Sequence, residues 1–296
     1  MAEVVAAMAM THSPGLCGWF DDAPVDEQKL ASQAFEAMRA KLAERQVDVM
    51  IPFGNDHLLN WPINNTPEYT VGIAETHVGP HEWYRGWLNL ETYTIPGNAR
   101  LARHIVNESA RQGIAMSYLR DLKFDDNVSV PVTHLNPDGG MAIVPINMNC
   151  TVPPIPDPRR AYAVGQALRR VLDCYDGDER IAVVGTGGLS HEPGGPRYFF
   201  IDDEFDRWFM DMLVAGDHEA LLEQCTMERM EEAGSGGTAE LIAWFVALAF
   251  TAGPAEALAY IASHTWRSGT GMVIWPTMAG QPLAADQTAV LHEAVA

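Results

Sequence analysis

Short apolar runs alternate with longer segments of helical periodicity along this chain of 296 residues, and this alternation limits the fold more than any other feature. The apolar runs predict strands over 4–10, 47–53, 141–148, 181–184 and 272–275. Apolar residues at helical spacing predict helices over 28–46, 98–112, 160–174, 203–214, 218–231 and 238–250. We therefore expect an α/β fold, a single domain over residues 1–296 with a central mixed β-sheet flanked by helices. Because ligands bind at the carboxyl ends of strands in such sheets, we expect the active site there.

Two long stretches, 58–96 and 120–138, do not fit this alternation and are interpreted as loops. The first is rich in aromatic residues, including Trp61, Trp83, Tyr84 and Trp87. Loops of this length in a compact domain usually carry function. The aromatic side chains are typical of an apolar pocket wall or a subunit contact, and ordinary core packing is the alternative.

Charge and cysteine content exclude several classes of protein. Lys and Arg number 19 against 39 Asp and Glu, a formal charge of −20, whereas nucleic acids and anionic membranes bind positive surfaces. The longest apolar run, 241–253, is shorter than the ~18–20 residues of a membrane span. The four cysteines have no CxxC spacing, and the apolar start lacks the basic residues of a signal peptide. We expect a cytoplasmic protein with no nucleic-acid or membrane partner.

Three predicted strands end in a polar cluster that contains a histidine: His12, His57 and His191. Histidine titrates near neutral pH and is the commonest metal ligand in proteins. A single histidine at a strand end is often structural. Three histidines at the same edge of one sheet instead favour a metal or acid–base site.

A carboxylate adds to this pattern. Glu240 lies in the first turn of the predicted helix 238–250, whose sequence is apolar nearly all round, so the helix is predicted to be buried. A buried carboxylate needs a partner, which a metal ion would supply. The alternative is that Glu240 merely complements the helix dipole. Two histidines and one carboxylate hold Fe(II) in non-haem oxygenases, and the same set holds catalytic zinc, so the residues leave both metals open.

Over residues 3–280 the chain resembles the class III extradiol ring-cleaving dioxygenases, the family of the protocatechuate 4,5-dioxygenase catalytic β-subunit. The similar segments are Thr-His-Ser-Pro at 11–14, Asn-Asp-His at 55–57, Gly-Thr-Gly-Gly-Leu-Ser-His at 185–191 and Gly-Ser-Gly-Gly-Thr-Ala-Glu at 234–240. The third segment is the most specific of the four.

The resemblance implies an Fe(II) cofactor, held by His12, His57 and Glu240, and an acid–base role for His191. It implies that the substrates are O2 and a catechol-type aromatic, with or without a carboxylate, whose ring is opened as both oxygen atoms are inserted. Two other functions stay open: a zinc hydrolase on the same fold, and a binding homologue without catalysis.

One position departs from the family pattern. Where members commonly carry a histidine, this chain has Asp126. Three interpretations follow: Asp126 is a catalytic acid with a raised pKa, it contacts an unusual substrate, or the position has lost its role.

Substrate contacts and partners complete the expectations. Arg197 and Arg267 lie near the site segments of a chain poor in cations, so each is a candidate for binding an aromatic carboxylate, with a structural salt bridge as the alternative. Ser190, next to His191, is a third candidate. We expect a homo-oligomer, and some relatives imply a separate small helical subunit.

Overall fold

The computed structural model describes residues 2–280 and contains eleven strands and ten α-helices in that range. The strands are β1 Glu3–Met10, β2 Val49–Asn55, β3 Tyr69–Gly72, β4 Thr76–Gly79, β5 Tyr93–Pro96, β6 Ser117–Leu119, β7 Ala142–Ile143, β8 Ile146–Met148, β9 Arg180–Thr186, β10 Glu256–Ser263 and β11 Ser268–Trp275. The helices are α1 Gly15–Gly18, α2 Val25–Glu44, α3 Glu82–Leu88, α4 Ala99–Arg111, α5 Asp126–Leu135, α6 Pro158–Asp173, α7 Asp203–Ala215, α8 His218–Gln224, α9 Met227–Ala233 and α10 Ile242–Leu248. Residues 281–296 of the predicted domain lie outside the described range.

Nine strands form one mixed sheet in the order β10-β11-β1-β9-β2-β8-β3-β6, with β7 also paired to β2, while β4 and β5 form a separate hairpin. The central strands β1, β9 and β2 run parallel to one another. Strands β11 and β3 are antiparallel to their neighbours β1 and β8. The expected α/β fold with a mixed sheet is confirmed.

Helices cover both faces of this sheet because successive side chains of a strand point to opposite faces. On β1, Ala7 and Ala9 belong to the apolar core on one side, whereas Met8 and Met10 belong to the core on the other. Residues of α4, α6, α7 and α10 pack in the first core, and residues of α2 and α5 pack in the second. Within residues 2–280, no helix is both long enough and apolar enough to cross a bilayer.

Several predicted elements differ from the observed ones. The predicted strand 141–148 is split into β7 and β8 at Val144 and Pro145, consistent with the missing N–H of proline. The predicted helix 218–231 is two helices, and Thr226 caps the second by accepting a hydrogen bond from the Arg229 backbone N–H. The stretch 58–96, which was interpreted as a loop, contains β3, β4, α3 and β5. Strand β10 lies in a part of the chain for which no strand was predicted.

Helix α5 lies in the second stretch interpreted as a loop. Two hydrogen bonds explain why it forms, one with the adjacent residue and one with a neighbouring strand end. Asp125 caps its start by accepting a hydrogen bond from the Asn127 backbone N–H. Pro131 inside the helix has no N–H for the Asn127 carbonyl. The hydroxyl of Thr186, at the end of β9, lies 3.1 Å from that carbonyl and donates to it. The helix is therefore completed from the neighbouring strand end.

Candidate metal centre and active site

His12, His57 and Glu240 converge at the carboxyl edge of the sheet. His12 and His57 each follow the end of a parallel strand by two residues, and Glu240 lies in the 3-10 turn Thr238–Leu241 before α10. His12 Nε2 is 3.1 Å from Glu240 Oε2, and His57 Nε2 is 2.9 Å from Glu240 Oε1. The parallel order of β1, β9 and β2 brings these distant residues together.

The orientation of His12 is fixed through its other ring nitrogen. Its Nδ1 lies 3.1 Å from Thr186 Oγ1, whose own hydrogen faces the carbonyl oxygens of Phe53 and Asn127. His12 Nδ1 therefore donates, and Nε2 carries the lone pair. This Nε2 is buried and makes no well-aligned hydrogen bond. A buried nitrogen left unpaired beside a carboxylate fits a metal ligand.

His57 is held in the same way by Asp125. Both the backbone N–H and Nδ1 of His57 lie 3.0 Å from Asp125 Oδ2, which is fully buried. Burial lowers the pKa of His57, but the negative charges of Asp126 and Asp125 outweigh it and hold that pKa well above its usual range. Without a metal the ring therefore carries a proton on Nε2, which a cation would displace. A carboxylate behind a ligating histidine is a common feature of metal sites.

Glu240 is suited to hold a cation. Its side chain is buried, and it accepts hydrogen bonds from Asn55 Nδ2 at 3.0 Å and from the Gly188 backbone N–H at 3.3 Å. Burial raises its pKa, but the neighbouring imidazoles of His12 and His57 outweigh this and hold the pKa well below its usual range. The group is therefore an ionised carboxylate between two imidazoles.

Asp126 is a second carboxylate at this site. Its Oδ1 lies 3.0 Å from His57 Nδ1, and one ligand atom each from His12, His57 and Asp126 falls within 4.8 Å of the others. Burial raises the pKa of Asp126, but the charge of His57 outweighs it and the pKa lies below its usual range. This direction is opposite to the raised pKa that a catalytic acid would need. Because Asp126 faces the Nδ1 side of His57, Glu240 is the better placed third ligand.

His191 lies beside the same carboxylate, on the segment that follows β9. Its Nδ1 donates to the Leu189 carbonyl oxygen at 2.8 Å, so Nε2 carries the lone pair. This Nε2 is 3.6 Å from Glu240 Oε2, and the ring lines the cavity described next. The structure thus brings all three predicted strand-end histidines to one place.

A cavity of about 230 Å³ opens over these residues. Five aromatic side chains line it: Trp19, Tyr84, Trp87, Tyr198 and Trp266. An engineered apolar cavity of ~150 Å³ binds benzene in another protein, so this volume accommodates one substituted aromatic ring. Of the aromatic residues noted in the stretch 58–96, Tyr84 and Trp87 line the cavity and Trp61 and Trp83 do not.

Arg267 is the cation in the cavity wall. Its guanidinium lies over the rings of Trp19, Tyr198 and Phe199 at 4.9, 5.2 and 5.9 Å, and it donates to the Tyr198 hydroxyl at 2.7 Å. Within residues 2–280, no carboxylate lies within 4.0 Å of it. Its backbone has a φ of +63°, an uncommon conformation for a residue other than glycine. A charged group without an acidic partner in this acidic protein is available to a ligand.

The other two predicted substrate contacts lie elsewhere. The Arg197 guanidinium pairs with Glu192 at 2.8 Å and donates to the Glu232 carbonyl, and Arg197 does not line the cavity. Ser190 is fully buried outside the cavity wall, and its hydroxyl donates to Asp206 at 2.8 Å. Neither side chain is placed to touch a ligand, because each is engaged in a protein contact.

Three supporting residues were missed by sequence reasoning: Asn55, Asp125 and Thr186. Each lies within or next to a segment that contains a predicted site residue. Their roles depend on hydrogen bonds between segments far apart in the chain, as in the contact of Asn55 with Glu240 across 185 residues. The only available signal was their polar character at otherwise apolar strand ends.

Comparisons with known proteins identify the family of this chain. Residues 6–274 match the family described as the catalytic LigB subunit of aromatic ring-opening dioxygenase. A gallate dioxygenase of Pseudomonas putida is 37% identical over 155 residues, which are 51% of this chain and 45% of that protein. A 2,3-dihydroxyphenylpropionate/2,3-dihydroxicinnamic acid 1,2-dioxygenase of Photorhabdus laumondii is 26% identical over 213 residues, 72% of this chain and 62% of that protein. The matches thus span about half to three-fifths of these relatives' lengths.

The fold also has a counterpart among solved structures. The crystal structure of an uncharacterized protein from Escherichia coli K12 superposes with a TM-score of 0.56 at 16% identity, covering 92% of this chain and 99% of that one. At this identity the likeness concerns the fold alone. The family match spans most of the chain and includes every residue of the candidate site. The chain therefore belongs to the family of the catalytic LigB subunit of aromatic ring-opening dioxygenases.

Proposed function

We propose that the chain is a non-haem Fe(II) extradiol dioxygenase, which opens the ring of a catechol-type aromatic compound and inserts both atoms of O2. The observation that carries this proposal is the convergence of two histidine Nε2 atoms on the buried carboxylate of Glu240. Family membership supports the same reaction class.

His12, His57 and Glu240 are the proposed ligands of the metal. Both histidines have Nδ1 engaged by a protein acceptor, and both direct Nε2 at the carboxylate. Two histidines and a carboxylate leave open coordination positions, as in other non-haem Fe(II) oxygenases. When bound, Fe(II) supplies a centre at which the diol and O2 exchange electrons.

His191 is the proposed acid–base residue. Because Nδ1 donates to the Leu189 carbonyl, Nε2 is free to take a proton from a phenolic hydroxyl in the cavity. The same nitrogen returns the proton as the ring opens. Asp126 lines the same cavity as a carboxylate, and its proposed role is to accept a hydrogen bond from a substrate hydroxyl rather than to act as an acid.

The cavity supports a choice of substrate. Its aromatic wall fits one ring, and Arg267 offers an unpaired guanidinium to an acidic substituent. The two relatives compared above are named for gallate and for dihydroxyphenylpropionate, both carboxylated aromatics with adjacent hydroxyl groups. We therefore propose a vicinal diol with a carboxylate that contacts Arg267.

Four expectations from the sequence stay predictions. They are the single domain over 1–296, the homo-oligomeric state, the separate small subunit and the cytoplasmic location.

Oxygen uptake tests the proposal. The protein is loaded with Fe(II) under anaerobic conditions and mixed with catechol, protocatechuate, gallate, 2,3-dihydroxyphenylpropionate or 2-aminophenol, and hydroquinone serves as a diol without adjacent hydroxyls. We expect O2 uptake and a yellow ring-opened product with a vicinal diol only, and no uptake by zinc-loaded protein. Absence of uptake with confirmed bound iron, or equal turnover by zinc-loaded protein, would contradict the proposal.

A further inference from the structure

Asp206 is a buried carboxylate of α7 that faces the segment carrying His191. Its Oδ1 accepts a hydrogen bond from the Ser190 backbone N–H at 2.7 Å, and its Oδ2 accepts from the Ser190 hydroxyl at 2.8 Å. The Tyr260 hydroxyl of β10 lies 3.3 Å from the same Oδ2. Ser190 directly precedes His191, so this carboxylate holds the residue next to the proposed acid–base group.

The helix itself does not need this carboxylate. Asp202 caps α7 by accepting from the Phe205 backbone N–H, and Asp203 pairs with Arg207 one turn later. Within residues 2–280, no Lys or Arg pairs with Asp206. A buried carboxylate without a cation is costly, and the three hydrogen bonds that it receives from described residues offset this cost. Two of these three hydrogen bonds are donated by Ser190.

Strand β11 holds the opposite side of the segment that contains Leu189 and Ser190. The Leu189 backbone N–H donates to the Gly269 carbonyl, and the Gly269 N–H donates to the Ser190 carbonyl. A side chain at position 269 would collide with the Asp206 carboxylate, so glycine there leaves room for the contact. Residues 189 and 190 are therefore fixed between α7 and β11.

We propose that Asp206 is a positioning residue, which fixes Leu189 and Ser190 so that His191 keeps Nε2 free and directed at the metal centre. The link is the Leu189 carbonyl, which accepts from His191 Nδ1 and thereby sets the tautomer of the ring. If the segment moved, His191 would lose both its orientation and its defined tautomer. This inference rests on the proposed function of His191.

The contact between Asp206 and Ser190 also depends on the ionisation of Asp206. Burial raises the pKa of its carboxyl to about 7, against hydrogen bonds from Ser190 and Tyr260 that lower it. The charged and titratable groups around it are Asp202, Asp203, Arg207 and Tyr260, and the β11 residue that lies against it is the uncharged Gly269. Hydrogen bonds to a carboxylate are stronger than those to a neutral acid. The segment is therefore held less firmly below pH 7 than above it.

Hydrogen–deuterium exchange and kinetics of Asp206→Asn test this inference, with Asp203→Asn as the matched control. Asp203 lies on the same helix and also accepts from Tyr260, at 2.9 Å, but it does not touch Ser190. In the Fe(II)-loaded wild type, we expect the amides of 187–192 to be protected at pH 8 and less so at pH 6, after correction for intrinsic exchange. D206N should lose this protection at both pH values and lower kcat by about tenfold or more, with KM and iron content unchanged. D203N should match the wild type.

Wild-type protection and wild-type kcat in D206N would overturn the inference, as would equal losses in D203N. If D206N does not fold, Ser190→Ala removes the hydroxyl that donates to Asp206 and that also accepts from the Asp202 backbone N–H, and it should raise exchange at 187–192. Wild-type exchange in that variant would equally overturn the inference. The exchange measurement does not depend on turnover. A wild type that is inactive with every diol would count against the proposed function, while the exchange result would still decide the role of Asp206.

Discussion

His57 Nε2 lies 2.9 Å from Glu240 Oε1, although the two residues are 183 positions apart in the chain. His57 follows β2, and Glu240 precedes α10, which packs in the apolar core on one face of the sheet. The contact therefore exists only in the folded chain. In the proposed metal site, Glu240 is the group that both histidines contact.

The first prediction separates the two carboxylates of the site. Glu240→Gln should weaken Fe(II) binding by at least about 100-fold, because it removes the charge between the two histidines. Asp126→Asn should weaken Fe(II) binding by only about tenfold, the lower end of the effect of groups behind a ligating histidine, because Asp126 faces the Nδ1 side of His57. Anaerobic titration with Fe(II), followed by metal analysis of the desalted protein, measures both. The reverse order of effects would make Asp126 the third ligand.

The second prediction concerns His191. His191→Ala should bind Fe(II) as the wild type does and lose about 100-fold or more in kcat, since general acid–base groups contribute ~10²–10⁴-fold. His264→Ala, which replaces an exposed histidine outside the cavity, is the control and should keep wild-type kcat. Loss of iron from the His191 variant would instead make His191 a ligand.

The third prediction concerns substrate recognition by Arg267. Arg267→Met keeps the length of the side chain but removes the charge, so KM for a carboxylated diol should rise about tenfold. KM for catechol itself, which has no carboxylate, should change by less than about twofold. Arg207→Met on the exposed face of α7 should change neither value. An equal rise in KM for both substrates would show that Arg267 supports the cavity wall and does not bind a carboxylate.

The fourth prediction concerns the stability of the metal-free protein in acid. Burial lowers the pKa of His77 to about 4, and the residue is only 3% exposed. As the pH falls from 6.5 to 4, the unfolded chain takes up a proton at this histidine before the folded chain does, so the free energy of unfolding decreases. The full effect is roughly 3 kcal/mol. Urea unfolding at pH 6.5 and 4.5 should show this decrease in the wild type and a smaller one in His77→Leu. An equal decrease in the free energy of unfolding of both proteins would contradict the contribution of His77. His264→Leu is the control for the effect of replacing an exposed histidine.

The position of the site was predictable because the polar clusters follow apolar strands. In a sheet whose central strands are parallel, all carboxyl ends meet at one edge, so His12, His57 and His191 converge whatever the connecting loops do. Glu240 was predictable because an acidic residue at the start of a buried helix needs a partner. The supporting contacts of Asp125 and Asp206 were not predictable, since they join segments whose relative placement only the fold determines.

Two elements illustrate what local patterns do not contain. Strand β10 has alanine at 257, 259 and 262, which carries little strand preference, and its pairing with β11 outweighs that weakness. Helix α5 contains Pro131 and several β-branched residues, which favour a loop, yet the Asp125 cap and the Thr186 hydroxyl complete it. In both cases a neighbouring element supplies hydrogen bonds that the local sequence does not specify.

Isotope labelling of the reaction shows whether O2 supplies the oxygen atoms of the product. Fe(II)-loaded protein is given its active vicinal diol under ¹⁸O2 in ordinary water, and the ring-opened product is examined at once by mass spectrometry. We expect that both newly inserted oxygen atoms carry the label, and that Glu240→Gln protein forms no such product. A product whose new oxygen comes only from water would contradict the dioxygenase assignment and indicate a hydrolase at the same metal centre.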